Sequence, residues 1–155
     1  MSIEKVKAYL TQFDADGRVM EFSESSATVA MAAHAVGCEE ARIAKTLSFV
    51  VDGDCVLIVC AGDVKIDNPK FKSIFHTKAK MPSIDEVEAL CGHSVGGVCP
   101  FAVNSGVKVY LDESMRRFET VYPACGSSNS AIELTLDELE IFSNSLGWID
   151  VCKSI

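Results

Sequence analysis

The segment with the clearest capacity for chemistry runs from Ser94 to Phe101 and reads Ser-Val-Gly-Gly-Val-Cys-Pro-Phe; we call it the glycine loop. Gly96 and Gly97 have no Cβ, so their backbone can take positive φ angles and approach a ligand closely. Pro100 fixes its own φ and removes a donor. The pattern predicts a stiff loop with an open face, whose amides and carbonyls could approach a ligand closely. The plainer interpretation is a tight connection between a helix and a strand.

A lysine stands at the head of the most informative strand-like run, which extends from Lys45 to Val51. Side chains alternate between the two faces of a strand. One predicted face carries Lys45, Leu47, Phe49 and Val51, and the other carries Thr46, Ser48 and Val50. Lys45 therefore begins the more apolar face. Its ammonium either reaches out to water or presents a positive charge to a substrate at the rim of an apolar cavity.

Cys99 lies within the glycine loop, close in sequence to His93, and a thiolate beside an imidazole would be a nucleophile. The chain has seven cysteines, and Cys55 and Cys60 fall within an apolar strand-like run. This odd count and this placement favour reduced, buried thiols over a disulfide framework. No pair has Cys-x-x-Cys spacing and the histidines are scattered, so we expect no metal site and no cofactor.

Two polar features follow the glycine loop. Asp112 ends a strand predicted from the alternation at 107–111; it could contact a substrate, although its simplest role is to cap the short turn at 113–117. Cys125-Gly126-Ser127-Ser128-Asn129 is a polar loop, in which Gly126 and Ser128 are candidate substrate contacts. We expect a cavity where the glycine loop, the head of the Lys45 strand and the Gly126 loop converge.

The charge distribution is uneven. The net charge of −8 argues against a protein that coats nucleic acid non-specifically. Residues 65–80 nevertheless hold five lysines and one aspartate, a local charge of +4. The lysines are Lys65, Lys70, Lys72, Lys78 and Lys80. They form either an ordinary solvated face or a small surface that contacts phosphates.

The amino terminus has no signal-peptide core, and the longest apolar run, at 55–61, is too short to span a bilayer. We therefore expect a cytoplasmic protein with no membrane partner.

Helices and short strands alternate irregularly in the predicted structure. Helices are predicted at 3–13, 28–36, 69–75, 83–90 and 135–147, the last two behind capping boxes. Strands are predicted at 18–22, 45–51, 55–61, 107–111, 119–124 and 131–134, with a final apolar segment at 148–151. Because this order lacks a regular strand-helix-strand rhythm, the prediction is a single α+β domain, residues 1–155, built on a mixed, curved β-sheet.

Four segments taken in order carry a resemblance to a known family: IAKTLSFVVDGDCVLIVCAGD, GGVCPF, VKVYLDES and ACGSSNSAIELTLDEL. Their order and spacing resemble the YbaK/EbsC family, the free-standing relatives of the editing domain inserted in bacterial prolyl-tRNA synthetases. The similarity extends from about Phe22 to Ile149. It implies an α+β mixed-barrel fold and hydrolysis of the ester that joins a mischarged amino acid to tRNA, often tRNA for proline.

The resemblance also implies roles for individual residues. Lys45 matches the lysine of the family's Lys-Thr-Leu strand, and Gly96 and Pro100 match its Gly-x-x-x-Pro loop, so these three are the expected catalytic positions. Expected substrate contacts are Gly97, Val98, Cys99, Phe101, Asp112, Gly126 and Ser128, and the five lysines would face the tRNA. Members often have Ser before the proline and Gly after the aromatic residue, where this chain has Cys99 and Ala102.

The resemblance further implies that water or a group of the substrate is the nucleophile, and that a prolyl-tRNA synthetase is the partner that helps deliver the aminoacyl-tRNA. The removed amino acid is left open among alanine, serine and cysteine, as is the oligomeric state. Two alternatives remain. One is a cysteine hydrolase with Cys99 as nucleophile and His93 as base. The other is a non-catalytic module that binds aminoacyl-tRNA or a synthetase.

Overall fold

The structure is a computed structural model that describes residues 2–155. Its helices are α1 (Ser2–Leu10), α2 (Val29–Val36), α3 (Asn68–Phe75), α4 (Ile84–Cys91) and α5 (Leu136–Phe142). Its strands are β1 (Met20–Glu21), β2 (Ile43–Val51), β3 (Asp54–Ala61), β4 (Val64–Ile66), β5 (Lys108–Asp112), β6 (Thr120–Pro123), β7 (Ser130–Ala131), β8 (Leu134–Thr135), β9 (Trp148–Ile149) and β10 (Cys152–Ser154). In this part of the chain, no helix is both long and apolar enough to cross a membrane.

A mixed six-stranded sheet, in the order β8-β6-β2-β3-β5-β9, organises the fold. Its centre is the antiparallel hairpin of β2 and β3. The turn residues Asp52 and Gly53 both have positive φ, 51° and 82°, as a tight hairpin turn requires. Strands β5, β6 and β9 join in parallel and β8 joins antiparallel. The sheet curls into a half-barrel, so the predicted α+β fold with a mixed, curved sheet is confirmed.

The central strand β3 is buried at every residue after Asp54, because both of its edges are paired and both of its faces are covered. On one face, Phe49 of β2 packs against Phe71 of α3, with 5.0 Å between ring centroids. Phe71 in turn packs against Phe75 at 4.6 Å. Helix α3 therefore covers the sheet at Phe49.

Side-chain caps fix the helix starts. Thr28 caps α2 by accepting a hydrogen bond from the Met31 amide. The predicted capping boxes are present at α4, between Ser83 and Glu86, and at α5, between Thr135 and Glu138. The sequence signals at these helix starts were sufficient because a cap is a local interaction.

Several predicted boundaries were wrong. The first helix ends at Leu10 and continues only as a 3₁₀ turn, and α5 ends at Phe142 instead of near residue 147. The predicted strand 131–134 is two strands, because Ala131 pairs with Met20 whereas Leu134 pairs with Val121. Strand β10, which pairs antiparallel with β4, was not predicted.

Asp112 is a structural anchor. Its side chain is 1% exposed, and one carboxylate oxygen accepts a hydrogen bond from the Ser114 amide at 2.9 Å, as expected for an N-cap. The other oxygen accepts from the Val151 amide, also at 2.9 Å, and so ties β5 to the segment between β9 and β10. Both oxygens are therefore used by the backbone.

We expect Asp112→Ala to lower the free energy of unfolding by about 2–4 kcal/mol, because it removes a helix cap and leaves a buried amide without an acceptor. Urea denaturation measures the loss. Asp112→Asn, which keeps one oxygen acceptor, is the matched control and should lose less. Equal stability of the alanine variant and the parent protein would contradict this anchoring role.

Candidate active site

A cavity of about 360 Å³ opens among β2, α2, α4 and the glycine loop. Ligand pockets in proteins begin at about 300 Å³, so this one suits a small group. Its lining residues outside the glycine loop are Ser26, Ala27, Thr28, Val29, Ala32, Ile43, Ala44, Lys45, Thr46, Ser48, Met81, Pro82, Ile84, Val87, Tyr122, Ala124, Ser130 and Ala131. The cavity thus lies at the head of the Lys45 strand, in the region expected from the sequence.

One wall is an unpaired strand edge. Strand β6 pairs with β2 only at Ile43 and Ala44, the first two residues of β2. The edge of β2 beyond Ala44 therefore has no neighbouring strand. The Val50 amide points outward from this edge, because it donates to the Lys80 carbonyl at 2.8 Å. Every second residue of a strand directs its amide to the same edge. The amides of Thr46 and Ser48 therefore face the cavity. Within residues 2–155, neither has a hydrogen-bond acceptor.

Another wall is the glycine loop, which contributes Val95, Gly96 and Val98. The Gly97 amide donates to the Ser94 carbonyl at 3.0 Å and closes a turn, so it is not available to a ligand as the sequence had suggested. The amides of Gly96 and Val98 have no acceptor in the described part of the chain. The loop therefore offers fewer donors than predicted.

The glycine loop and the Gly126 loop touch through backbone alone. A Cβ placed on Gly97 would lie 2.8 Å from the carbonyl carbon of Gly126, and one on Gly126 would lie 2.8 Å from the Ser2 carbonyl oxygen. No side chain fits at either distance. The Ser26 amide donates to the Ser128 carbonyl at 2.6 Å, which joins the segment before α2 to the same loop. Gly126 and Ser128 thus support the cavity without lining it.

Lys45 lines the cavity, but its ammonium donates a hydrogen bond to the Val64 carbonyl at the start of β4. Lys45 shares its strand face with Phe49, against which α3 packs through Phe71. The cavity is lined by Lys45 and also by Thr46 and Ser48 of the opposite, more polar face, so it lies along the open edge of β2. An ammonium has three donors, so two remain after the bond to Val64.

The chemical groups of the cavity are few. Among its described lining residues there is no carboxylate, imidazole or thiol, and Lys45 is the one charged side chain. Hydroxyls come from Ser26, Thr28, Thr46, Ser48, Tyr122 and Ser130. The Ser26 hydroxyl oxygen is buried and has no hydrogen-bond partner among residues 2–155. Such a cavity can hold a polar ligand by hydrogen bonds, but a general base of the usual kinds is absent from its described walls.

Cys99 and His93 form a buried pair behind the glycine loop. His93 Nε2 lies 2.6 Å from the Phe101 carbonyl oxygen and 3.6 Å from Cys99 Sγ. A carbonyl only accepts, so Nε2 carries the proton and cannot take one from the thiol. Burial raises the pKa of the Cys99 thiol to about 12 and lowers the pKa of His93. Neither thiolate nor imidazolium is favoured, so this pair braces the loop and is unsuited to nucleophilic catalysis.

Four of the predicted positions lie off the cavity wall. Cys99, Pro100 and Phe101 are buried and do not line the cavity, and Cys99 and Phe101 belong to the main hydrophobic core. Asp112 does not line it either. Of the predicted site residues, the cavity wall holds Lys45, Gly96 and Val98. The apolar side chains at the end of the loop are buried in the core, because burial is more favourable for them than exposure to water. The loop motif alone did not show this burial.

The five lysines of residues 65–80 differ in their contacts. The Lys70 ammonium pairs with Asp150 at 2.9 Å and donates to the Cys152 carbonyl at 3.0 Å. Lys65 lies on β4, opposite Lys153 of β10. Lys72 and Lys78 border a second, shallow cavity together with Asn68, Pro69 and Ala79. Lys80 immediately precedes Met81, which lines the main cavity.

Sequence reasoning missed most of the cavity wall. The walls from α2 and β7 bring Val29, Ala32 and Ala131, which have no chemical signature in the sequence. The alternation of β2 did separate Thr46 and Ser48 from Lys45, and it could have indicated a polar wall. What could not be seen was which face α3 would cover.

Burial of His93 makes stability depend on pH. The pKa of His93 is lowered in the folded protein, so below about pH 6.5, the ordinary value, the unfolded chain binds a proton that the folded chain resists. We therefore expect the free energy of unfolding to fall between pH 7.5 and 5.5. His93→Gln, which keeps an N–H donor for the Phe101 carbonyl, should show a smaller fall in urea denaturation. The same slope in both proteins would contradict a buried, neutral His93.

Comparisons with known proteins point in one direction. The family model for the aminoacyl-tRNA editing domain matches residues 23–142. The uncharacterized protein YwhH of Bacillus subtilis (strain 168) is 54% identical over 154 residues, covering 99% of this chain and 98% of YwhH. A proline–tRNA ligase of Staphylococcus aureus (strain Newman) is 32% identical over 72 residues, which are 46% of this chain and 12% of the ligase.

The fold comparison agrees. A crystal structure described as that of a proposed trans-editing enzyme for prolyl tRNA synthetase superposes with a TM-score of 0.88 at 27% identity, covering 99% of this chain and 98% of that one. Its overlap includes the six-stranded sheet and the loops that form the cavity, since nearly all of both chains is aligned. The family match spans the segments from before α2 to the end of α5, which together build the cavity. This chain therefore belongs to the aminoacyl-tRNA editing domain family, as the resemblance to YbaK/EbsC proteins indicated.

Proposed function

We propose that this protein is an aminoacyl-tRNA deacylase that acts in trans and hydrolyses the ester of mischarged tRNA. The observation that carries the proposal is a small cavity walled by unpaired backbone amides and hydroxyls, in a chain that belongs to the editing family. The proposed substrate is tRNA for proline that carries alanine, serine or cysteine. Its support is the similarity to proline–tRNA ligases and to the proposed trans-editing enzyme.

The groups that line the cavity are better suited to hydrolysis of an ester than to hydrolysis of a peptide bond, which needs stronger acid catalysis. The amides of Thr46 and Ser48 on β2, and those of Gly96 and Val98 on the loop, are donors that can hold the ester carbonyl and stabilise the negative charge that develops on its oxygen. Carbonyl oxygens of the same backbone segments can accept from the substrate ammonium. Holding the ester still against these groups lowers the barrier without any covalent step on the protein.

The nucleophile in this proposal is water, or a ribose hydroxyl of the substrate whose new ester is then hydrolysed by water. In the hydrolytic step the water oxygen attacks the ester carbonyl carbon, the C–O bond to the ribose breaks, and the ribose oxygen takes up the proton that the water loses. This assignment rests on the described cavity wall, which carries no carboxylate, imidazole or thiol that could serve as base. Lys45 would attract the terminal phosphate or the ribose with the two ammonium donors that its bond to Val64 leaves free.

The size of the cavity limits the aminoacyl group. A volume of about 360 Å³ must take the amino acid and at least part of the ribose. The walls near β7 and α2 carry Ala131 and Ala32, and the hydroxyls of Ser26 and Ser48 stand among them. Small side chains suit this space, and a hydroxyl or thiol could find a hydrogen-bond partner there.

Lys45→Ala should lower kcat/KM for deacylation about 10- to 100-fold, the loss expected when a charge-assisted hydrogen bond to the substrate is removed. The measurement is release of amino acid from tRNA for proline charged with alanine, serine, cysteine or proline. Lys108→Ala is the control, because Lys108 is an exposed lysine that pairs with Asp54 away from the cavity. No turnover of any charged tRNA by the parent protein, with tRNA binding intact, would instead indicate a non-catalytic binding module.

Cys99→Ser should keep deacylase activity within a few-fold of the parent protein, because the buried thiol has a pKa raised to about 12 and does not reach the cavity. The same assay, together with slow labelling of Cys99 by iodoacetamide, checks this. Cys91→Ser, at another buried cysteine near His93, controls for damage to packing. A loss of activity above 100-fold in a folded Cys99→Ser variant, without a matching loss in Cys91→Ser, would favour the cysteine hydrolase.

A further inference from the structure

Three large apolar side chains stand exposed at the mouth of the cavity. Met81 is 58% exposed, Ile84 is 78% exposed and Val95 is 58% exposed, yet all three line the cavity. We call them the apolar rim. They come from the entry to α4 and from the glycine loop, on two sides of the same opening. Exposed apolar side chains that cluster around a cavity mouth mark a contact surface.

The rim is held in place by the backbone around it. The Lys80 carbonyl accepts from the Val50 amide, which ties the residue before Met81 to the edge of β2. Ile84 is the first residue of α4, whose start is fixed by the Ser83 capping box, while Val87 on the next turn is buried. The turn closed between Ser94 and Gly97 carries Val95. The rim is therefore preformed on anchored segments.

The charges beside the rim are divided. Lys78 and Lys80 precede Met81, and neither ammonium lies within 4.0 Å of a carboxylate among the described residues, although the charge of Lys80 acts on Glu86 of α4. On the other side, Asp85 follows Ile84 and is exposed. The rim is thus bounded by positive charge on the segment that precedes α4 and by negative charge on α4 itself. A ligand that fits is apolar in its body and anionic at one end.

The area of the apolar rim distinguishes between the ligands that could cover it. A stable protein interface buries roughly 800 Å² on each partner, more than three side chains can supply. A single nucleobase is a flat apolar body of suitable area, and a backbone phosphate follows it along the strand. Proteins that bind unpaired nucleic acid combine this kind of packing surface with nearby lysines.

We propose that the apolar rim packs against the terminal nucleobase of the aminoacyl-tRNA, with the adjoining phosphate toward Lys78 and Lys80. This inference rests on the proposed function, because the ester sits on the ribose of that terminal nucleoside. When the ester enters a cavity of about 360 Å³, the base attached to the same ribose must lie at its mouth. The rim occupies that position.

The test compares Ile84→Ser with Ile141→Ser, whose parent residue on α5 is 62% exposed and does not line the cavity. Substrates are a mischarged RNA minihelix with its natural unpaired 3′ end and an identical one whose terminal ribose has no base. On the natural end, we expect Ile84→Ser to raise KM about 5- to 50-fold with little change in kcat, the effect of losing base packing. On the abasic end, parent and Ile84→Ser should have the same KM.

Other results would overturn the inference. Equal KM values for Ile84→Ser and Ile141→Ser on the natural end, with normal turnover, would remove the base contact and leave the deacylase standing. A change in sedimentation caused by Ile84→Ser alone would identify the rim as a contact between copies of the chain.

Failure of the proposed function gives a different result. If the folded parent protein hydrolyses neither minihelix, the deacylase proposal fails. Fluorescence anisotropy with the uncharged natural minihelix then decides on the rim: binding weakened by Ile84→Ser and not by Ile141→Ser supports a base contact in a non-catalytic binder. Equal binding by both variants refutes it.

Discussion

The open edge of β2 is the feature on which the rest of the site depends. Strand β3 satisfies one edge of β2 along almost its whole length, whereas β6 leaves the other edge after Ala44. An unpaired strand edge exposes a row of donors and acceptors that must be used by water, by another chain or by a ligand. Here the edge is enclosed by α2, α4 and the glycine loop instead of by a strand. The half-barrel therefore keeps a polar strip inside a concave, largely apolar cavity.

Close backbone contact sets the opposite side of that cavity. Gly97 lies against Gly126 at a distance that excludes any Cβ, and Gly126 lies as close to the start of α1. The hydrogen bond from His93 to the Phe101 carbonyl holds the two ends of the loop together from the core side. Because the loop is fixed in this way, its unpaired amides stay exposed to the cavity. The arrangement is preorganised, which is what stabilisation of a developing charge requires.

The site illustrates which sequence signals are reliable. Local signals succeeded: the capping boxes and the apolar strand at 55–61 were both predicted, because each depends on neighbours a few residues apart. Several residues predicted to touch a ligand lie away from the cavity wall. Asp112 proved to be a cap and an anchor, and Cys99 proved to be core, in both cases because of partners distant in sequence.

By itself, the sequence determined the class of fold, the family and two segments that line the cavity, the Lys45 strand and the glycine loop. Periodicity, turn residues and motif order are properties of the chain read locally, so they needed no coordinates. Only the tertiary structure decided that α3 packs on Phe49, that Thr46 and Ser48 form a polar wall, and that Met81, Ile84 and Val95 meet at one mouth. These facts follow from packing between elements far apart in the chain, where the burial of each face depends on what covers it.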